Sequence, residues 1–474
     1  MKIALVSSEA VPYSKTGGLA DVAGTLYKEY SDMGRDVGLF VPLYRKTRHL
    51  FQNELEDTGF SMDIPLGAAT RKCRVLSTGT AFFISNREYF DRDELYGTPN
   101  GDFPDNDQRF IFFCRAVLEF CRRTDRSPDI FHCNDWQTGL VPLYLKTLYQ
   151  DDPAFARTSS LLTIHNLGYQ GIFPSGTMDI SGLDRKLFSP EGVEFYGKMN
   201  FLKAGIIGAD AITTVSPTYA EEILTPEQGF GLDGILRKRS GNITGIINGI
   251  DYAEWDPAHD PLLPGNYSIN DLSGKAACKN KLLKQCALNG GPGTPLLCYI
   301  GRLSEQKGID IMAGALNGLL AGGANVVVLG GGDAKYRSML DSFGIRYKDS
   351  FHFHAGFDNP FAHLCYAGAD IFLMPSKYEP CGLGQMIAMR YGTIPVAHAT
   401  GGLSDTIEDG SSGFLFSEYS SSALMTCAER ALAACLDGRT LGKMIKRGMR
   451  KDFSWKKPLS RYLKIYTELG RIQR

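Results

Sequence analysis

The sequence predicts an α/β protein made of two doubly wound domains. Its 474 residues are too many for one ordinary globular domain. Along the chain, short apolar segments rich in β-branched residues alternate with segments whose apolar residues recur at helical spacing. This alternation occurs in two series, which a polar stretch containing proline and glycine separates. Because strands that alternate with helices form parallel sheets covered by helices, each series predicts one such domain.

The first series begins at the first residues of the chain. Residues 2–9 form an apolar strand, a helical stripe runs from Val22 to Met33, and residues 37–43 form the next strand. The following predicted elements are a helix over residues 110–121, a short strand at 130–132, a helix over 140–148 and a strand at 161–164. We assign residues 1–245 to this first domain.

The second series follows a polar stretch over residues 256–274, where we place the linker. Its predicted strands cover residues 296–300, 326–329, 351–357, 371–374 and 394–397, and predicted helices begin near 309, 339 and 383. We assign residues 246–455 to the second domain. Residues 456–474 predict an amphipathic helix, and its sequence leaves open where it docks.

Composition and charge exclude several classes of protein. The 51 basic and 52 acidic residues give a net charge of -1, so no overall field attracts nucleic acid. No apolar run is long enough to span a membrane, so we expect a cytoplasmic protein with no membrane partner. The 11 cysteines include no C-x-x-C pair and predict reduced core thiols. No cluster of ligands indicates a metal, and no cofactor is expected.

A short motif, T-G-G-L-x-D, occurs once in each predicted domain. The copies comprise Thr16, Gly17, Gly18 and Asp21 in the first domain, and Thr400, Gly401, Gly402 and Asp405 in the second. Each copy follows a predicted strand and precedes a predicted helix, where exposed N–H groups and the helix dipole favour an anion. Two unrelated turns that need glycine for their backbone geometry would look the same, so both interpretations stay open.

Three cations lie near these glycine loops or at a strand end. Lys15 directly precedes the first glycine pair, where an ammonium group supplements backbone donors around a phosphate. Arg302 and Lys307 follow the predicted strand at 296–300, at the carboxyl end where open α/β sheets bind ligands. Together they are suited to a diphosphate, although solvated surface charges are an alternative for all three.

Polar residues also follow three other predicted strands. Glu379 lies in S-K-Y-E-P-C-G-L-G, where a carboxylate is suited to grip sugar hydroxyls or to offset positive charge in a transition state. His165 lies in T-I-H-N-L-G-Y, and Asp135 lies in H-C-N-D-W. Each residue alone has a structural alternative, such as capping or a salt bridge. Polar strand ends from two domains nevertheless favour a cleft between those domains.

Several motifs in sequence order resemble those of the bacterial glycogen synthases and plant starch synthases. They are K-T-G-G-L-A-D-V at 15–22, D-N-D-Q-R-F at 105–110, N-D-W-Q-T at 134–138, T-I-H-N-L-G-Y-Q-G at 163–171, N-G-I-D at 248–251, G-R-L-S-E-Q-K-G at 301–308 and E-P-C-G-L at 379–383. The likeness covers nearly the whole chain, and such an ordered set is far more specific than any single glycine loop.

The resemblance implies a retaining glycosyltransferase of the GT-B fold, with two Rossmann-like domains facing across a deep cleft. It implies ADP-glucose as donor, an α-1,4-glucan as acceptor and transfer to the nonreducing-end O4. It also implies that the first domain lies on the acceptor side, that the second domain binds the nucleotide sugar, and that the helix at 456–474 packs back on the first domain. The implied catalytic residues are Glu379, His165, Arg302, Lys307 and Asp135. The implied substrate-binding residues are Lys15, Thr16, Gly17, Gly18, Asp21, Asn166, Phe357, Cys381, Gly382, Leu383, Thr400, Gly401 and Gly402.

The chain departs from the family pattern at two points. The usual H-x-H-D-W has Asn134 in place of its second histidine, and Phe357 stands where the family often has tyrosine. The E-x7-E pattern of some related transferases is absent because position 387 is Ile387, so no second glutamate receives a role. Two alternatives stay open: another retaining GT-B glucosyltransferase that uses UDP-glucose, and a noncatalytic glucan-binding relative.

Overall fold

A computed structural model describes residues 1–98, 101–124 and 126–472 of the protein. The chain divides into two compact units. The first unit contains Met1–Val215, Ala220–Ile246 and the chain from Lys457 onwards, and the second contains Ser216–Tyr219 and Ile247–Lys456. Each unit is an α/β body with its own sheet, which is mixed in the first unit and parallel in the second.

The first unit contains 14 strands in the described part of the chain. They are β1 (Lys2–Val6), β2 (Asp36–Pro42), β3 (Glu56–Leu66), β4 (Ala69–Thr78), β5 (Ala81–Ser85), β6 (Gly97–Thr98), β7 (Gly101–Asp102), β8 (Ile130–Asn134), β9 (Ser159–Ile164), β10 (Ile172–Pro174), β11 (Glu194–Phe195), β12 (Lys198–Asn200), β13 (Ala211–Thr214) and β14 (Ile243–Gly245). The main sheet has nine strands in the order β14-β13-β9-β8-β1-β2-β5-β4-β3. Strands β10, β12 and β11 form a small antiparallel sheet.

Helices cover the main sheet of the first unit. They are α1 (Gly18–Asp32), α2 (Arg45–Leu50), α3 (Arg87–Phe90), α4 (Asn106–Arg123), α5 (Leu140–Leu145), α6 (Thr177–Ser181), α7 (Phe201–Gly208), α8 (Pro217–Glu222) and α9 (Asp233–Lys238), with α8 divided between the two units. In α1, Val22, Leu26 and Tyr30 are buried, as their helical spacing predicts. The helix ends before Gly34, whose φ of 67° is readily adopted by glycine.

The second unit has a six-stranded parallel sheet in the order β17-β16-β15-β18-β19-β20. Its strands are β15 (Leu296–Ile300), β16 (Asn325–Gly330), β17 (Phe351–Ala355), β18 (Ile371–Met374), β19 (Ile394–His398) and β20 (Phe414–Phe416). Its helices are α10 (Ser273–Gln285), α11 (Ile309–Ala321), α12 (Ala334–Arg346), α13 (Asn359–Gly368), α14 (Gly384–Arg390), α15 (Gly401–Thr406), α16 (Ser421–Leu436) and α17 (Gly438–Arg450). Strand β16 is buried along its whole length, as its continuous apolar sequence predicts for a strand covered on both faces.

The last helix, α18 (Lys456–Ile472), belongs to the first unit from Lys457 onwards. Its Tyr466 hydroxyl lies 2.7 Å from Nδ1 of His132 on β8. The same hydroxyl accepts a hydrogen bond from Tyr30 on α1 at 3.5 Å. These side chains are fully buried, so the apolar stripe of α18 forms part of the core of the first unit.

Two regions differ from the prediction. The first series predicts only parallel strands, whereas β3 and β4 form an antiparallel hairpin at the edge of the main sheet. Exposed and buried residues alternate along β3 only from Ser61 to Leu66, and the first half of the strand is largely exposed, so its sequence pattern predicted no strand there. Helix α10 begins at Ser273, inside the stretch assigned to the linker. Ser273 and Gly274 form the first turn of this helix and not part of a linker. The helix is stabilised by the burial of Leu282 and Leu283 further along it.

Candidate active site

Three neighbouring strands of the second unit end at the same edge of their sheet. Strand β15 leads to the segment that carries Arg302 and Lys307, and β18 leads to Glu379. Strand β19 leads to the loop of Thr400, Gly401 and Gly402. Because β15, β18 and β19 are adjacent and parallel, these segments converge at the carboxyl edge of the sheet.

Glu379 forms the centre of a polar cluster at this edge. Its Oε2 accepts a hydrogen bond from Lys307 Nζ at 2.6 Å and one from Ser376 Oγ at 2.9 Å. The residue is only 5% exposed, so an isolated carboxylate there would be costly. Nδ1 of His398, on β19, lies 2.8 Å from the Ser376 carbonyl and fixes the segment that carries the cluster.

The second glycine loop packs directly on the backbone that carries Glu379. Gly402 donates its N–H to the carbonyl oxygens of Glu379 and Pro380, both at 3.2 Å. A Cβ atom on Gly401 would lie 2.1 Å from the Glu379 carbonyl oxygen, and one on Gly402 would lie 2.2 Å from that of Cys381. Gly401 also has a φ of 44°. Glycine is therefore required here for close packing between two loops, and part of the amide set predicted to face an anion is already hydrogen-bonded.

The other predicted residues of the second unit occupy varied environments. Arg302 is exposed, and its carbonyl accepts a hydrogen bond from Tyr299 at 2.9 Å. Phe357 is 77% exposed, between β17 and α13. Burial raises the pKa of the Cys381 thiol to about 12, which leaves it a poor nucleophile. Gly382 and Leu383 directly precede α14, and Thr400 is buried.

Strands β8 and β9 bring Asp135 and His165 together in the first unit. These strands are adjacent and parallel, and Asp135 and His165 follow their last residues. Asp135 Oδ1 accepts the backbone N–H of His165 at 2.7 Å. Asp135 has a φ of 56°, a rare conformation for a residue other than glycine, which aims its side chain at this backbone. Burial raises the pKa of Asp135 to about 7, although the N–H groups of His165 and Asn166 oppose the shift.

The imidazole of His165 is held by its neighbour on β8. His165 Nε2 lies 2.9 Å from Oδ1 of Asn134. Burial lowers the pKa of His165 to about 3, so the ring is neutral at physiological pH. Asn166 lies next to it, and its Oδ1 accepts the N–H of Gly168 at 2.9 Å. A neutral imidazole at this position exchanges hydrogen bonds with hydroxyl groups and carries no charge.

Glu9 holds the first glycine loop in place through hydrogen bonds to Thr16. The backbone N–H of Thr16 donates to Glu9 Oε2, and the Thr16 hydroxyl lies 3.0 Å from both carboxylate oxygens. Glu9 is buried, and burial raises its pKa. Lys15 forms an ion pair with Asp21 on α1, with Nζ and Oδ1 2.7 Å apart. The loop amide of Thr16 is thus engaged internally, whereas a Cβ on Gly17 would meet open space.

Sequence reasoning missed two residues that organise these clusters. Glu9 follows β1 in S-S-E-A, and this strand-end signal is the same one that identified Asp135 and His165. Ser376 precedes Glu379 by three residues in the same loop. Ser376 carries no charge, and nothing in the sequence shows that the Glu9 carboxylate accepts hydrogen bonds from Thr16 or that the Ser376 hydroxyl donates to Glu379.

Comparison with known proteins decides the family. A family model described as the starch synthase catalytic domain matches residues 2–238, and one described as glycosyl transferases group 1 matches residues 287–448. Glycogen synthase of Thermodesulfovibrio yellowstonii is 46% identical over 99% of this chain and 98% of its own length. Glycogen synthase of Syntrophotalea carbinolica is 45% identical over 98% of each chain. The chain belongs to the glycogen and starch synthase family.

Solved structures agree with this assignment. The catalytic domain of starch synthase IV from Arabidopsis thaliana, solved with ADP and acarbose, matches 99% of each chain with a TM-score of 0.90 and 31% identity. Sucrose-phosphate synthase from Thermosynechococcus elongatus matches 99% of each chain with a TM-score of 0.63 and 19% identity, which supports the fold alone. The predicted family, the glycosyltransferase activity and the fold of two α/β domains of the GT-B type are therefore confirmed.

Two further observations concern the described residues only. No group of three or more His, Cys, Asp or Glu side chains among them is placed to hold a metal ion. No helix within those ranges combines the length and the apolar character needed to cross a membrane. The site residues, the extents and roles of the predicted domains and the cytoplasmic location stay predictions.

Proposed function

We propose that the protein elongates α-1,4-glucans by transferring glucose from ADP-glucose to the nonreducing-end O4 hydroxyl, with retention of the α configuration. The observation that carries this proposal is the buried cluster of Lys307, Glu379 and Ser376 at the carboxyl edge of the second sheet. It combines a cation for a departing phosphate with a carboxylate for the sugar. The glycogen synthase relatives and the ADP-bound starch synthase support the choice of donor and acceptor.

The proposed reaction breaks the bond between C1 of glucose and the β-phosphate oxygen. Negative charge then develops on ADP, and Arg302 and Lys307 stabilise it. Positive charge develops on the glucosyl ring, and the Glu379 carboxylate stabilises that charge through space. A new bond forms between C1 and the acceptor O4, whose proton passes to the departing phosphate oxygen. We propose that the acceptor attacks from the face that ADP leaves, which retains the α configuration; Ile387 stands where some related transferases carry a second glutamate.

We also propose substrate-binding roles for further residues of each unit. Lys15 contacts the donor phosphates, and binding there replaces its ion pair with Asp21. His165 and Asp135 border the reacting sugar, where the neutral imidazole and the buried carboxyl group exchange hydrogen bonds with its hydroxyl groups. The other proposed substrate-binding residues are Thr16, Gly17, Gly18, Asp21 and Asn166 in the first unit and Phe357, Cys381, Gly382, Leu383, Thr400, Gly401 and Gly402 in the second.

The test is a side-by-side assay of two donors with a maltooligosaccharide acceptor. We expect glucan elongation with release of nucleoside diphosphate, and a higher kcat/KM for ADP-glucose than for UDP-glucose. The margin is modest, since both donors share the diphosphate and the glucose. Equal or better use of UDP-glucose would overturn the donor assignment. A disaccharide product would indicate a different glucosyltransferase, and release of neither product would indicate a binding protein.

A further inference from the structure

The carboxamide of Asn134, at the end of β8, has a defined orientation. Its Nδ2 donates to the carbonyl oxygen of Val6 at 3.0 Å and to that of His132 at 3.4 Å. Asn134 is fully buried. Because carbonyl oxygens only accept hydrogen bonds, the amide nitrogen has to face them, and the amide oxygen Oδ1 has to face the other way.

This orientation determines which nitrogen of His165 carries its proton. Asn134 Oδ1 lies 2.9 Å from His165 Nε2. An amide oxygen is only an acceptor, so the hydrogen bond forms only when Nε2 is protonated. In a neutral imidazole the lone pair is then on Nδ1, which becomes an acceptor.

We propose that Asn134 is a positioning residue that locks His165 in the Nε2–H tautomer, so that Nδ1 accepts a hydrogen bond from a hydroxyl group of the reacting sugar. The contact with sugar rests on the proposed function, whereas the tautomer does not. Asparagine suits this role because it accepts from Nε2 without adding charge. A carboxylate at the same place would also accept, but it would favour the doubly protonated ring, which has no acceptor.

The other titratable groups around His165 do not determine its tautomer. Asp135 contacts the backbone N–H of His165. His132 is engaged by the Tyr466 hydroxyl at Nδ1 and by the Thr163 hydroxyl at Nε2, and its pKa is lowered to about 3 by burial and by His165. Glu9 interacts electrostatically with Asp135. Among these contacts, only the one from Asn134 reaches a ring nitrogen of His165.

The direct test is nitrogen NMR of protein labelled with 15N-histidine, without substrate, near neutral pH. The eight histidines are few enough for assignment by single substitutions, and the His165 signals are those lost in His165→Gln. We expect one protonated nitrogen, Nε2, and one unprotonated nitrogen, Nδ1. A protonated Nδ1, or a mixture of both tautomers, would overturn the proposal. This measurement needs no activity, so it stays informative if the protein elongates no glucan.

Two variants connect the tautomer to turnover. In Asn134→Leu the tautomers should mix, and kcat should fall by at least 10-fold with a smaller change in KM, because the sugar hydroxyl loses a fixed acceptor. In Asn134→Asp the His165 signals should titrate at a higher pH than in wild type, and kcat should fall along with that titration as pH decreases. An unchanged tautomer in Asn134→Leu, or superimposable His165 titrations in Asn134→Asp and wild type, would contradict the role of Asn134.

Asn325 on β16 provides a matched control. It is also buried, and its Nδ2 donates to the carbonyl oxygen of Asn289 at 2.7 Å. Asn325→Leu should lower thermal stability but leave the His165 spectrum and the pH dependence of kcat unchanged. If both asparagine variants reduce kcat equally while the His165 signals stay fixed, the effect of Asn134 is structural and the proposal is wrong.

Discussion

Lys307 and Lys279 form ion pairs of similar geometry in the second unit, at opposite ends of strand β18. Lys307 lies 2.6 Å from Glu379, which follows β18, and Lys279 lies 2.7 Å from Asp370, which directly precedes it. Only the first pair lies where open α/β sheets bind ligands. Substituting each lysine in turn therefore separates a catalytic role from a structural one.

We expect Lys307→Ala to lower kcat by about 10²-fold or more, because it removes positive charge from the departing diphosphate. Lys279→Ala should lower the melting temperature and leave kcat of the folded enzyme close to wild type. Steady-state kinetics and thermal unfolding of both variants provide the measurement. Exhaustive chelation should leave wild-type turnover intact, since Arg302 and Lys307 supply the charge. Strict metal dependence, or equal kcat losses in both variants, would contradict this assignment.

Glu379 permits a second test at the scale of one residue. Glu379→Gln keeps the shape of the side chain and removes its charge, so the fold should persist while most turnover is lost. Ser376→Ala removes only the hydroxyl that donates to Oε2, at 2.9 Å, and should cause a smaller loss. Donor kinetics and circular dichroism distinguish the two effects. Mass spectrometry that traps a stable glucosyl ester on Glu379 would contradict front-face transfer.

At the scale of elements, the two T-G-G-L loops have the same sequence but different packing. Gly401 contacts the backbone of the Glu379 loop at a φ of 44°, and a Cβ would lie 2.1 Å from a carbonyl oxygen. Gly17, the equivalent residue in the first loop, has a φ of -155° and open space where a Cβ would lie. Each loop begins a helix, α15 or α1. The motif alone does not distinguish these environments.

Gly401→Ala should therefore destabilise the protein by about 1–3 kcal/mol, since it adds a left-handed alanine and a steric clash. It should also reduce kcat, because the clash displaces the backbone of Glu379. Gly17→Ala should change the free energy of unfolding by less than about 0.5 kcal/mol. Denaturant unfolding measures both variants. If the two substitutions destabilise equally, the loops are packed alike and the structural distinction fails.

At the scale of the whole molecule, buried histidines make stability depend on pH. His132 and His165 have pKa values lowered to about 3 by burial, against about 6.5 in the unfolded chain. Between these values the unfolded state binds protons that the folded state does not, so stability falls as pH decreases from about 6.5 to 3. The maximal slope is about 1.4 kcal/mol per pH unit for each histidine. Asp135 opposes this trend: its pKa is raised to about 7, so the folded state binds the extra proton between about 4 and 7.

We expect the free energy of unfolding to decrease as pH falls below about 6.5. His132→Asn should make this dependence on pH less steep. Urea unfolding at several pH values gives this slope. Asn325→Leu is the control, because it removes a buried amide that does not titrate, and so should lower stability while leaving the slope unchanged. A His132→Asn slope equal to that of wild type would show that His132 is not the group that resists protonation.

Several positions of the candidate site could be predicted from the sequence. Apolar strands followed by Glu379, Lys307, His165 and Asp135 identified the polar strand ends, because parallel sheets bind ligands where their strands end. The same rule applied to Glu9, but nothing in the sequence shows that its carboxylate accepts the N–H of Thr16. Periodicity also failed to predict the β3–β4 hairpin. The edge strand β3 alternates polar and apolar residues only in its second half.

Local periodicity and the order of motifs determined the fold class and the family of this protein, because burial of apolar residues follows the periods of helix and strand. Only the tertiary structure decided which side chains form hydrogen bonds and ion pairs with one another. It paired Lys307 with Glu379 across 72 residues, joined His132 to Tyr466 across 334, and placed Asn134 against His165. Hydrogen bonds and ion pairs depend on distances of a few ångströms between residues far apart in the chain. Those distances are set by strand order and by close packing, which no local pattern encodes.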